Sequence, residues 1–238
     1  MESTKLTLLI MAGLPGAGKT TLANALSKEL GWYVVDKDRY REILSVYGLS
    51  PDTVSRAAYD LSFKDAYNIL SKQQVYGVVN HNNRGEYKQI LFNHALSDDI
   101  VDRIVEDLSD HLPKQPTSVI FDSNALNHFV LEKAEKIATI AGNVRIKVLL
   151  CVLDRDERVR RLRERLQKKP EQPPTTNANP ETIADYLHLF NHLPQNRLTI
   201  FTNTPFEQYF GIAKAFLMSE DRLTILPHAH GAINEREY

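Results

Sequence analysis

The sequence predicts an α/β fold, a three-layer αβα sandwich built on a five-stranded parallel sheet and carrying a helical insertion. Three observations predict it. Short apolar strands alternate with amphipathic helices through most of the chain, the pattern of parallel βαβ units. A glycine-rich loop joins the first strand to the first helix. A polar stretch, about residues 73–117, breaks the alternation and has a helical pattern of its own.

The first strand is Lys5–Ala12, where Leu6, Leu8, Leu9, Ile10 and Met11 form a nearly continuous apolar run. The loop Gly13–Gly18 follows, and then a helix over Lys19–Leu30, with Leu22, Ala25, Leu26 and Leu30 on one face and Gly31 as its stop. Trp32–Asp36 is a second short strand, followed by a helix near Arg39–Val46. Pro51 suits the first turn of a helix that runs to about Leu70. Ser118–Asp122 is the third strand, and the helix after it spans about His128–Ala141. Arg145–Leu153 is the fourth strand, and a charged helix covers about Asp156–Lys168. Pro170, Pro173, Pro174 and Pro180 then mark an extended loop. A helix near Glu181–Phe190, a fifth strand over Leu198–Thr202 and a helix over Pro205–Met218 complete the pattern. We read one domain over residues 1–238, with the insertion at about 73–117 and a lid at about 155–180.

Composition narrows the function. Lys and Arg number 29 and Asp and Glu number 30, so global charge favours no nucleic-acid track and no acidic partner. No apolar run approaches the ~20 residues that cross a bilayer, and the N-terminus has no secretory pattern. The expected location is the cytoplasm, with no membrane partner. Cys151, the single cysteine, can form no intramolecular disulfide and falls in the fourth strand as a buried small residue. Charge is unevenly spread. Residues 98–110 hold six acids against Arg103, and residues 155–169 hold eight bases against three acids. His81, His94 and His111 of the insertion show no metal-ligand spacing and read as surface positions.

Gly13-Leu14-Pro15-Gly16-Ala17-Gly18-Lys19-Thr20 fits the pattern G-x-x-x-x-G-K-[ST]. Close wrapping of a triphosphate by backbone N–H groups needs glycine, because side chains would obstruct the approach. The helix that follows presents its unpaired N–H groups and positive dipole end to the phosphates. In this reading Gly13 to Thr20, with Thr21 beside them, bind ATP or another NTP. Lys19 reaches the β- and γ-phosphates, and the Thr20 hydroxyl holds Mg²⁺. A strand before the loop and a helix after it make the fold a P-loop NTPase sandwich.

The second strand ends in Asp36-Lys37-Asp38-Arg39-Tyr40-Arg41. Ligands of open parallel sheets bind at this carboxyl edge. Transfer to an alcohol benefits from a carboxylate that accepts the hydroxyl proton and from a cation that orients the acceptor. Asp38 and Arg41, three residues apart, share a helical face and suit those roles. The competing reading makes Asp38 the N-cap of the helix at Arg39. The third strand ends in Asp122-Ser123-Asn124, and an acid there can hold Mg²⁺ opposite Thr20; its competing role is a turn cap. In the charged helix Arg158, Arg161 and Arg165 fall on one stripe, which reads either as a solvated face or as cations for a charged transition state.

Here the chain resembles the P-loop kinases of AAA-type ATP-binding character that include bacteriophage polynucleotide kinase, the zeta-toxin kinases and many "predicted kinases". Asp38-Arg39-Tyr40-Arg41 matches their Asp-x-x-Arg, and Asp122-Ser123-Asn124 is similar to the Asp-Thr-Asn of polynucleotide kinases. The resemblance implies that Asp38 is the general base and that Arg41 binds substrate or phosphate. Asn124 joins them on the substrate side. Arg161-Leu162-Arg163-Glu164-Arg165 matches the lid form Arg-Leu-x-x-Arg, which implies catalytic roles for Arg161 and Arg165. Asp36-x-Asp38 is similar to the Asp-x-Asp of shikimate kinase, which makes Asp36 a second metal candidate. Where many relatives place an arginine soon after the third strand, this chain has Leu126-Asn127-His128. The resemblance covers about 5–72 and 117–218. It implies an ATP-dependent, Mg-assisted kinase acting on a hydroxyl acceptor, either a 5′-hydroxyl nucleic-acid end or a small molecule. The alternative is an NTP-hydrolysing regulatory switch, or a nucleotide-binding module, without a phosphoryl acceptor.

Overall fold

The computed structural model describes residues 5–71, 79–94, 96–108, 112–113, 115–168 and 187–219. Five strands, β1 (Leu6–Ala12), β2 (Tyr33–Asp36), β3 (Val119–Asp122), β4 (Val144–Val152) and β5 (Leu198–Phe201), form one sheet in the order β2-β3-β1-β4-β5. Every pairing is parallel. The central strand β1 is buried on both faces, which is why its sequence, Thr7 apart, is apolar and does not alternate.

The two faces of the sheet hold separate cores. Leu9 and Met11 point to one side, where α1 (Lys19–Leu30) and α8 (Phe206–Met218) cover them with Leu22, Leu26, Phe216 and Leu217. Leu8, Ile10 and Ala12 point to the other side. There they meet α3 (Pro51–Leu70) and α6 (Phe129–Ala141) through residues such as Leu61, Ile69, Val130 and Ala134. This is the expected three-layer sandwich. Ser50 caps α3 by accepting from the Thr53 N–H at 3.2 Å, and Pro51 takes the first turn as expected.

α2 spans Lys37–Ser45 and begins two residues earlier than the sequence pattern suggested, because Asp36 is its cap. Two further helices, α4 (Val79–Phe92) and α5 (Asp98–Leu108), fall in the polar stretch. Tyr87, Leu91, Val101, Ile104 and Val105 join them to the core on the α3 side. α7 covers Arg155–Lys168, and a 3₁₀ turn covers Leu187–Phe190. The remainder of the expected lid, and residues 181–186 of the expected helix at 181–190, lie outside the described residues. Cys151 is buried in β4, as expected. His94 departs from its expected surface position. Its ring is half-buried and pairs with Asp60 of α3 at 3.1 Å.

Candidate active site

The loop between β1 and α1 is shaped by three glycines with positive φ, Gly13 at 136°, Gly16 at 85° and Gly18 at 81°. A methyl group on Gly13 would overlap the carbonyl oxygen of Cys151 in β4. One on Gly16 would come within 3.0 Å of the Arg158 side chain. Glycine is required at Gly13 by conformation and by space, and is favoured at Gly16 chiefly by its positive φ. Leu14 and Ala17 turn inward and are buried, whereas Pro15 is only half-buried. Gly18 is the N-cap of α1 and makes no side-chain cap bond, which leaves the first-turn N–H groups to an anion.

Lys19 opens α1. It is 8% exposed, and its ammonium donates to the Leu14 carbonyl at 3.0 Å, within its own loop. Burial pulls its pKa down, and the charge of Asp122 is the first influence opposing this. Thr20 and Thr21 follow, both exposed.

The sheet register brings the acids together. Asp36 and Asp122 are partner positions on β2 and β3, and Met11 partners Asp122 on β1. Asp122 is 5% exposed. Burial raises its pKa, while Lys19 and a hydrogen bond from the Thr20 hydroxyl lower it. Its Oδ2 atom is buried and makes no hydrogen bond among the described residues. An orphaned carboxylate oxygen beside a hydroxyl is a hard oxygen donor set, the kind that suits Mg²⁺. Asp36 stands next to it with its pKa pushed up to about 6, chiefly by burial.

Asp36 also settles the capping question. Its Oδ1 accepts from the Asp38 N–H at 2.9 Å, so Asp36 is the N-cap of α2 and Asp38 lies inside the first turn. The Asp38 carboxylate is free of that duty. Its Oδ1 lies 3.3 Å from the Lys37 ammonium and 3.6 Å from Arg41 Nη1. It is also close enough for its charge to act on Lys19 and Asp122. The structure thus gathers Lys19, Thr20, Asp36, Asp38, Arg41 and Asp122 at one edge of the sheet. Asn124 is half-buried at the same edge, and its backbone carbonyl accepts from the Gly13 N–H at 3.3 Å.

The arginines of α7 separate. Arg161 is half-buried, bonded to Glu157 at 2.8 Å and to the Thr202 carbonyl at 3.3 Å. Its Nη1 would be 3.8 Å from a methyl group on Gly18, so it lies beside the loop. Arg165, about a turn further on, is exposed. Two residues outside the expected set also belong to this edge. Arg158, 5% exposed, packs its stem on Gly16. Lys37, also 5% exposed, sits 5.0 Å from the Tyr59 ring centre. The stripe spacing pointed to Arg158, but the Lys37 position between two acids carried no signal of its own.

A family model described as an AAA domain matches residues 8–193, most of the chain. The chain belongs to this family. No curated protein matches it. Among solved structures, a presumed kinase from Chloroflexus aurantiacus is 20% identical with a TM-score of 0.58, over 90% of this chain and 96% of that one. A sugar kinase from Janibacter is 14% identical with a TM-score of 0.46, over 90% and 94%. The APS kinase of Mycobacterium tuberculosis, solved with AMPPNP and APS, is 14% identical with a TM-score of 0.46, over 91% and 100%. The family match and the first of these structures agree with a P-loop, kinase-like fold.

Proposed function

We propose that the chain is a magnesium-dependent kinase that transfers the γ-phosphate of ATP to a hydroxyl acceptor, with Asp38 as general base. The observation that carries this reading is the state of Asp38. The cap of α2 is Asp36, so the Asp38 carboxylate has no structural duty as a cap. It stands between two cations on the side of Lys19 and Asp122.

Each side chain has a role in this reading. The glycine loop and the first turn of α1 bind the phosphates, and Lys19 exchanges its bond to Leu14 for one to the β- and γ-phosphates. Asp38 accepts the proton of the acceptor hydroxyl as its oxygen forms a bond to the γ-phosphorus and the bond to the β-phosphate oxygen breaks. Arg41 orients the acceptor, with Asn124 nearby. Arg161 supplies positive charge where negative charge builds in transit, with the exposed Arg165 as the second cation of the helix. Thr20 and Asp122, with Asp36 adjacent, would hold Mg²⁺, which when bound contributes charge across the β- and γ-phosphates.

The acceptor is either a 5′-hydroxyl nucleic-acid end or a small-molecule alcohol. ATP labelled in the γ-position, offered with 5′-hydroxyl oligonucleotides and a pool of metabolite alcohols, tests the reading. Label on either class supports it. Label released only as inorganic phosphate replaces it with a hydrolase.

A further inference from the structure

Asp65 of α3 is a carboxylate in the core, 4% exposed. It accepts hydrogen bonds from the Tyr40 hydroxyl of α2 and the Tyr87 hydroxyl of α4, one on each oxygen. Its nearby charges are Arg39 of α2 and Lys64 of α3. A buried carboxylate costs more than an apolar contact of the same size, so packing alone does not account for it. What it adds is direction, because each phenol must point at a particular oxygen.

The partners matter more than the bond. Tyr40 lies inside Asp38-Arg39-Tyr40-Arg41, the turn that carries the proposed base and its cation. Two residues on from Asp38, it leaves the opposite side of α2. Anchoring Tyr40 in the core therefore sets the rotation of α2 about its axis and with it the aim of Asp38. Tyr87 comes from α4, in the polar stretch that interrupts the alternation of strands and helices. We infer that Asp65 is a positioning residue, joining α4 to the catalytic turn so that α4 helps to hold Asp38 and Arg41 toward the glycine loop. The inference rests on the proposed roles of Asp38 and Arg41.

Tyr87→Phe keeps the ring and removes one hydroxyl without touching α2, and Tyr40→Phe removes the other. Amide hydrogen exchange in the full chain should quicken in α2 by about tenfold in both variants, the worth of a bond to a charged group. Exchange in α1 and the affinity for a fluorescent ADP analogue should stay within about twofold of wild type. Asp65→Asn, which keeps an oxygen for a hydroxyl, should restore part of the protection that Asp65→Leu loses. With 5′-hydroxyl oligonucleotides or metabolite alcohols as probe acceptors, kcat should fall about tenfold in both tyrosine variants with the ATP KM unchanged. Equal quickening of α1 and α2, unchanged exchange in α2, or full kcat with a loosened α2 would each overturn the inference. If wild type transfers to no acceptor, the kinase reading fails on its own, and the exchange pattern alone then decides whether the tie between α4 and α2 exists.

Discussion

Asp36 and Asp122 are partner residues of neighbouring parallel strands, each the last residue of its strand. Their carboxylates divide the work at the sheet edge. Asp36 caps α2, whereas Asp122 keeps one oxygen without a hydrogen bond among the described residues. Asp122→Asn should therefore abolish most of the gain in ATP affinity that Mg²⁺ provides, while affinity measured in EDTA stays near wild type. Asp36→Asn, which preserves much of the cap, should have the smaller effect. A calorimetric titration of ATP with and without Mg²⁺ checks both, and equal effects would contradict the division.

The glycines of the loop differ in what surrounds them. Gly13→Ala meets the Cys151 carbonyl at a φ of 136°, so strain and overlap combine. A loss of about 2–4 kcal/mol is expected. Gly31→Ala at the end of α1 has a φ of 69° and meets nothing within 4 Å among the described residues, so about 1 kcal/mol should be lost there. Thermal melts of the two variants should differ by roughly 4–8 °C.

The α7 arginines should separate in kinetics as they do in space. Arg161→Ala should lower kcat by about 10²-fold with little change in the ATP KM. Arg165→Ala should have a smaller effect, because Arg165 is exposed and Arg161 lies by Gly18. A larger loss at Arg165 would show that α7 moves between this arrangement and the reacting one.

Burial holds the Asp65 carboxyl up at about 6, against the pull of its two tyrosine hydroxyls. In the unfolded chain it titrates near its ordinary value of about 4. The folded state therefore holds the proton more tightly, and stability from this group is present at about pH 4 and lost as pH rises through about 6. Asp36 and Asp122 are shifted the same way. Asp65→Asn cannot titrate there, so its melting temperature should decline less than that of wild type between about pH 4 and 7. An equal or steeper decline would contradict the assignment.

Much of this was legible in the sequence, for identifiable reasons. The nearly continuous apolar run of β1 and the glycine spacing after it act through local chemistry, and both reached the structure intact. Asp122 was legible as a strand-end acid. Its pairing with Asp36 was not, because strand order depends on which helices cover which face. Capping stood only as the competing role of Asp38, and the cap is Asp36, because either acid satisfies the local capping rule and only the strand's end decides between them. The arginine stripe predicted a shared face but not where the helix meets the loop, which left Arg158 outside the expected set. Asp65, Tyr40 and Tyr87 lie 25 and 22 positions apart on three helices, and no local pattern joins them.

In the proposed reaction Asp38 takes the acceptor proton, and phosphoryl transfer by Asp38→Asn tests that role most directly. Transfer, ATP affinity and melting temperature should be measured on one preparation. Transfer should fall by about 10²-fold or more, the usual worth of a placed base. ATP affinity should change less than about twofold, because Lys19 and the glycine loop are untouched. Asp36 keeps the cap, so only the Lys37 and Arg41 pairings weaken, and melting should fall by no more than about 5 °C. A folded Asp38→Asn protein that transfers phosphate at the wild-type rate would contradict the account.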